Sequence, residues 1–218
     1  MKTLRFLRVG LCLLSWLSAG PVSAADDFRA WSQYLFTLHR TEKLNLGLYY
    51  EARLRDDGSD AFAWFSGPKL TYDLNDNLSI GGAIKYIEIE GNDVLDGRLE
   101  LELTPKWVAG KLRFDFRNRI EVFHENGASD STRFRHRLRC QWPLKRGWLD
   151  RLFFSAEFFH QDGAGWGELF ESRIVPLGAR LKLSPKASLD VFYLRRSRDR
   201  SSGREHFDVL GTLFILRR

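Results

Sequence analysis

Apolar and polar positions alternate along this chain, most clearly over residues 111–141. In the first half of that stretch Leu112, Phe114, Phe116, Ile120 and Val122 alternate with Arg113, Asp115, Arg117, Arg119 and Glu121. In the second half Thr132, Phe134, His136, Leu138 and Cys140 alternate with Arg133, Arg135, Arg137 and Arg139. A period of two predicts strands with two unlike faces. The residues between, 125–131, are rich in Gly, Asn, Asp and Ser, so the pair reads as a hairpin. One face is apolar and the other is a ladder of arginines. A water-soluble sandwich buries the apolar face and leaves the charges in solvent. A membrane barrel turns the apolar face to lipid and the charges to its lumen.

The same periodicity recurs over 29–38, 44–55, 61–73, 78–90 and 97–108 before the hairpin, and over 152–161, 168–183, 189–198 and 206–217 after it. With the hairpin this makes about eleven strands of ~10 residues, the length a tilted membrane strand needs. Single-chain bacterial barrels have an even strand number. Ten or twelve strands are therefore expected, with 29–38 falling short of a full span or one strand unseen. Pro68, Pro105 and Pro176 lie inside strand patterns, where each deletes a ladder donor and predicts a bulge. Connections at Asn75, Ala109 and Pro185 are tight, whereas those at Asp57, Asn92, Gly127, Gly163 and Ser201 are longer and more polar. Barrels show this asymmetry between periplasmic turns and outer loops. Trp64, Trp107, Trp142, Trp148, Tyr72, Tyr86 and Tyr193 fall near strand ends, where interfacial aromatic girdles belong. The expected fold is all-β: an antiparallel up-and-down transmembrane barrel of about 10–12 strands.

Composition adds export to this picture. The chain has 218 residues, which suits one domain. Lys2, Arg5 and Arg8 precede the apolar run 9–17, and Val22-Ser23-Ala24 is a small-residue cleavage site. Residues 1–24 thus read as a cleaved signal peptide and 25–218 as the barrel domain. Cys12 lies inside the apolar run rather than after it, which disfavours a lipoprotein. Without the three basic signal residues the formal charge falls from +6 to about +3. Cys140 has no partner left in the mature chain and reads as a small apolar filler. No other apolar run approaches the ~20 residues of a spanning helix. An exported, aromatic-rich, cysteine-poor chain of this pattern is expected in the bacterial outer membrane. Its partners there would be membrane lipid and the barrel assembly machinery. Export argues against nucleic acid.

The arginine ladder is the candidate site. A two-residue Ala109-Gly110 turn would pair Lys106 with Arg113, Thr104 with Asp115, Glu102 with Arg117, Glu100 with Arg119, and Arg98 with Glu121. Three of these pairs are opposite in sign, so strand 97–108 looks able to neutralise its neighbour. Glu157 can approach Arg137 from the other side. Arg133, Arg135 and Arg139 have no obvious carboxylate in that register. They keep open an anion path, or a site for phosphate or sugar-acid groups.

His39, His124, His136, His160 and His206 invite an enzymatic reading. His124 lies close in sequence to Ser129 and Ser131, with Glu125 and Asp130 beside them, the residue types that a barrel hydrolase acting on lipid would use. There is no His-x-Ser strand motif, and a loop His near a Ser is usually only a loop. The histidines lack metal-ligand spacing. The DGAGWG run, 162–167, does not join a strand to a helix and so does not read as a phosphate loop. No cofactor is expected.

Phe116-Arg117-Asn118-Arg119-Ile120-Glu121, followed by Arg133, Arg135, Arg137 and Arg139, resembles the bacterial outer-membrane barrel family described as domain-of-unknown-function 2490. Trp31, the turn Leu74-Asn75-Asp76-Asn77-Leu78 and the late Tyr193-Leu194-Arg195 are also similar. The resemblance covers nearly all of the mature chain. It implies an outer-membrane location, no established activity and no catalytic residues. The chain ends in Ile215-Leu216-Arg217-Arg218, without the terminal aromatic that many barrels offer to their assembly machinery, and Phe214 is the expected substitute. The sequence therefore predicts a monomeric structural barrel or a narrow solute or anion path with an Arg/Glu-lined lumen. A barrel hydrolase and a soluble periplasmic lipocalin-like binder are the alternatives.

Overall fold

The computed structural model describes residues 28–90, 96–124, 130–161, 169–200 and 203–217. The proposed signal peptide, Glu125, Ser129 and the DGAGWG run lie outside the described residues. Eleven strands follow in order: β1 (Phe28–Arg40), β2 (Leu44–Arg55), β3 (Asp60–Asn75), β4 (Leu78–Ile89), β5 (Asp96–Ala109), β6 (Leu112–His124), β7 (Ser131–Arg146), β8 (Leu149–Gln161), β9 (Glu171–Lys182), β10 (Ala187–Arg200) and β11 (Gly203–Leu216). They close into one barrel, each pairing with its chain neighbours.

The expectation of an even count is wrong. The first strand is complete, and it closes the barrel by pairing in parallel with β11, from Phe28 opposite Asp208 to Phe36 opposite Leu216. Up-and-down alternation with an odd number of strands leaves the first and last running the same way. Their seam must then be parallel, and every other pairing is antiparallel.

The prolines act in two ways. Around Pro176 the β9 strand carries one extra residue: Val175 pairs with Ser155 but Gly178 with Phe153. The β10 side compensates in the same place, between Tyr193 and Arg195. This is a bulge at a missing donor. Pro68 and Pro105 leave the register unchanged. Beside Pro68, Gly67 has φ +153°, and a Cβ there would lie 1.9 Å from the Ile84 carbonyl oxygen. Only glycine admits that approach.

Burial is inverted relative to a soluble protein. Along β5 Leu99, Leu101 and Leu103 are 44%, 55% and 45% exposed, while Glu100 between them is 0% exposed. Exposed Tyr34, Phe36, Leu48, Ile84, Leu138 and Leu210 continue the apolar outer surface around the barrel. Buried Glu51, Lys85, Arg119, Glu157, Arg173 and Asp190 continue the charged interior.

Candidate functional site: the barrel lumen

Register decides which charges meet. The β5–β6 turn is Gly110-Lys111, because Ala109 pairs with Leu112. Gly110 has φ +62°, as a type II′ turn requires of its first central residue. The expected Ala109-Gly110 turn is displaced by one residue, so every pairing moves by two. Glu102 faces Arg119, Lys106 faces Asp115, and Arg98 faces Phe123. Because the shift is even, every side chain keeps its face.

The new register also sets like charges opposite one another. Glu100 faces Glu121, and across β6–β7 Arg117 faces Arg137 and Arg119 faces Arg135. Such pairs are unfavourable on their own. Groups from flanking strands offset them. Arg119 lies 3.0 Å from both Glu100 and Glu121, and it also contacts Glu102. Arg135 reaches Glu121 at 3.2 Å and Glu157 at 2.6 Å. Arg117 reaches Glu157 at 2.8 Å and Glu102 at 3.5 Å. The chain Arg119–Glu121–Arg135–Glu157–Arg117–Glu102 therefore returns to Arg119 as a closed ring of alternating charge.

Further ions extend the ring. Glu100 takes Lys85 at 3.0 Å and Arg98 at 2.7 Å, and Glu102 takes Lys69 at 3.3 Å. Arg133 binds Glu121 through Nε at 2.7 Å and through Nη2. Arg133 and Arg135 thus have carboxylate partners, contrary to the sequence reading. Arg137 stands opposite Glu157, as expected, and its ion pair at 2.9 Å is with Asp115.

Arg139 is different. It stands opposite Asp115 in the register, yet Asp115 accepts from Arg137 on Oδ1 and from Gln141 on Oδ2. Arg139 Nε is buried without a hydrogen-bond partner. Its guanidinium lies 4.8 Å from the centre of the Phe153 ring.

An apolar cluster lies in the wall of β1 and β8–β11, beside the ion pairs of β9 and β10. Trp31, Phe153, Val175, Leu194 and Val209 form a buried cluster, with Phe192 packed against it. Two rings are seated on glycines. A Cβ on Gly178 would lie 2.2 Å from Phe153 Cζ, and one on Gly211 would lie 2.1 Å from Phe192 Cε2. The lumen holds a cavity of about 260 Å³, lined by Arg117, Arg137 and Arg139, by Trp31, Phe153 and Leu194, and by further charged groups such as Glu51, Arg53, Arg173 and Asp190.

Several lumen ions escaped the sequence reading. Glu171 holds Arg173 and Arg196, the latter at 2.6 Å. Asp190 takes a two-pronged contact from Arg180 at 2.5 and 2.6 Å. Arg53 pairs with Glu51 at 2.6 Å and lies 4.4 Å from the Trp31 ring centre. Period-two parity on the second, ninth and tenth strands carried all of these but Arg180, which the extra residue at Pro176 turns inward, and they are spread singly rather than as a ladder.

The histidines are dispersed. His124 Nδ1 is 2.8 Å from Asp130 Oδ1, and both side chains are exposed. Ser131 pairs opposite Phe123 and has the parity of interior Arg133, whereas His124 has the parity of exterior Ile120. His136 lies on the outer face, hydrogen-bonded to Asn118 at 2.8 Å, with its ring 5.8 Å from that of His160. Among the described residues no three His, Cys, Asp or Glu side chains form a metal site.

Residues 28–207 match the family described as "Protein of unknown function (DUF2490)". The chain belongs to that family. No curated protein matches it. One solved structure, described as "Bacterial polysaccharide outer membrane secretin", is similar to the DUF2490 chain at 14% identity. The likeness covers 82% of this chain and 77% of that one, with a TM-score of 0.43. At that level it bears on neither activity nor location.

Proposed function

We propose that this DUF2490 chain is an outer-membrane barrel whose ion-filled lumen forms a narrow anion path rather than an open pore. The inverted burial carries this reading. A surface row such as Leu99, Leu101 and Leu103 has no second sheet to pack on, whereas the carboxylate between them is enclosed. Lipid is the solvent that suits such a surface. The ion ring occupies the bore, and its carboxylates are each shared among two or more cations, which leaves the interior cation-rich. A signal peptide at 1–24 would export the chain, the barrel assembly machinery would insert it, and it would function as a monomer.

Two measurements test the reading. The mature protein should require detergent or lipid and should migrate differently on gels before and after heating. In planar bilayers it should pass only small currents, with reversal potentials favouring anions. Recovery as a detergent-free soluble monomer would reject the membrane barrel and favour a periplasmic binder. A barrel that is heat-modifiable but silent in bilayers would be structural.

A hydrolase gains little support from the geometry. His124 and Ser131 have opposite strand parity, so we assign neither a catalytic role. The double variant His124→Ala, Ser131→Ala should leave any lipase or deacylase signal of the preparation unchanged, and a loss would overturn that assignment.

A further inference from the structure

The cavity has two unlike sides, and that asymmetry selects a ligand. We infer that the lumen binds a small amphipathic organic anion, its acidic group on Arg139 and its apolar part against Trp31, Phe153 and Leu194. The inference rests on the proposed reading of the lumen as an anion path and adds the chemical class that the path would recognise.

Arg139 is the lever. The other arginines on that side are engaged: Arg137 with Asp115 at 2.9 Å, and Arg117 with Glu157 at 2.8 Å. Asp115 faces Arg139 across the strands, but its hydrogen bonds are to Arg137 and Gln141. Arg139 Nε is buried and unpartnered. A guanidinium presents five donors in a planar fork suited to a carboxylate or phosphate. One taken from water without a counter-ion is costly unless an anion supplies the partner.

The aromatic surface beside Arg139 asks for something other than an inorganic ion. Phe153 and Phe192 lie against Gly178 and Gly211, where any Cβ would overlap the rings. Seating the rings on bare backbone draws them back into the wall. The surface they present is aromatic. A hydrated phosphate or chloride would leave that surface unsatisfied, whereas an aryl or short alkyl group would bury it. The 260 Å³ volume is near the small end of ligand pockets, so the class is a compact monoanion rather than a lipid.

The test uses the refolded mature barrel in a non-ionic detergent, with para-fluorobenzoate followed by fluorine NMR and calorimetry. Acetate supplies the charge without the ring, benzyl alcohol the ring without the charge, and benzylammonium the wrong sign. Para-fluorobenzoate should bind saturably and the three controls at least about tenfold more weakly. R139Q should weaken para-fluorobenzoate by a similar factor, and R139K should recover part of the loss. Arg139 makes no ion pair among the described residues, so R139Q should retain heat-modifiable migration, which separates lost binding from lost folding. Equal titration of wild type and R139Q would overturn the inference, as would acetate or benzyl alcohol matching the aryl acid. Binding without bilayer current would remove the path and leave the site. Anion current without aryl-acid binding would do the reverse.

Discussion

The two walls of the lumen hold the barrel together by different physics. The β5–β7 wall, with Glu157 from β8, is a ring of guanidinium and carboxylate groups. The wall of β1 and β8–β11 is centred on an apolar cluster of Trp31, Phe153, Val175, Leu194 and Val209, with the ion pairs of Glu171 and Asp190 beside it. Ion pairs are directional, and each partner has lost its water. Removing one partner exposes the full desolvation penalty of those that remain. Apolar packing is nearly isotropic, so its losses scale with volume and fit. The charged wall should therefore fail abruptly and the apolar wall by degrees.

The sharpest break is expected at Glu121, which is fully buried and serves Arg119, Arg133 and Arg135 together. Glu121→Ala should cost about 3–5 kcal/mol in unfolding from lipid vesicles, since it leaves three cations short of a partner. A loss under ~1 kcal/mol would mean that the ring behaves like a solvated surface network. Glu102→Ala and Arg135→Ala should resemble each other in the same assay, because both interrupt the one ring. A much milder Arg135→Ala would return that arginine to the unpaired state that its place in the sequence suggests.

On the apolar wall, Gly178→Ala is the corresponding probe. The added Cβ would overlap the Phe153 ring and should cost about 1–3 kcal/mol by overpacking. Combining it with Phe153→Leu should give less than the sum of the two single losses, because the second change removes the clash created by the first. Strict additivity would show that the ring does not rest on that glycine.

The smallest effect belongs to the border between the walls. Arg139→Gln removes a charge with no ion pair and a ring contact with Phe153. The two terms oppose each other, so stability should change by less than about 1 kcal/mol. A larger destabilisation would reveal a counter-ion for Arg139 and remove the reason for expecting a ligand there.

Local alternation along the chain already contained the strands and their two faces. Period two in Leu99, Leu101 and Leu103 against Glu100 and Glu102 needs no partner strand to be read, because side-chain direction is a property of the backbone itself. The arginines of the sixth and seventh strands were conspicuous for the same reason. Closure was not legible in this way. The parallel seam joins Phe28 to Asp208, residues from opposite ends of the chain, and no local pattern records which terminal strands will meet. Register was lost by a single residue at Gly110, since a turn of Ala-Gly and a turn of Gly-Lys read alike until φ is known. That one residue moved every β5–β6 pair by two while leaving every face unchanged. Which carboxylate neutralises Arg133 or Arg135 depended on the β6–β7 register, which sets Glu121 opposite Arg133, and on Glu157 brought in by β8. Facing is a local property of a strand, but charge pairing in a closed bore is a property of several strands at once, and only the tertiary structure decided it.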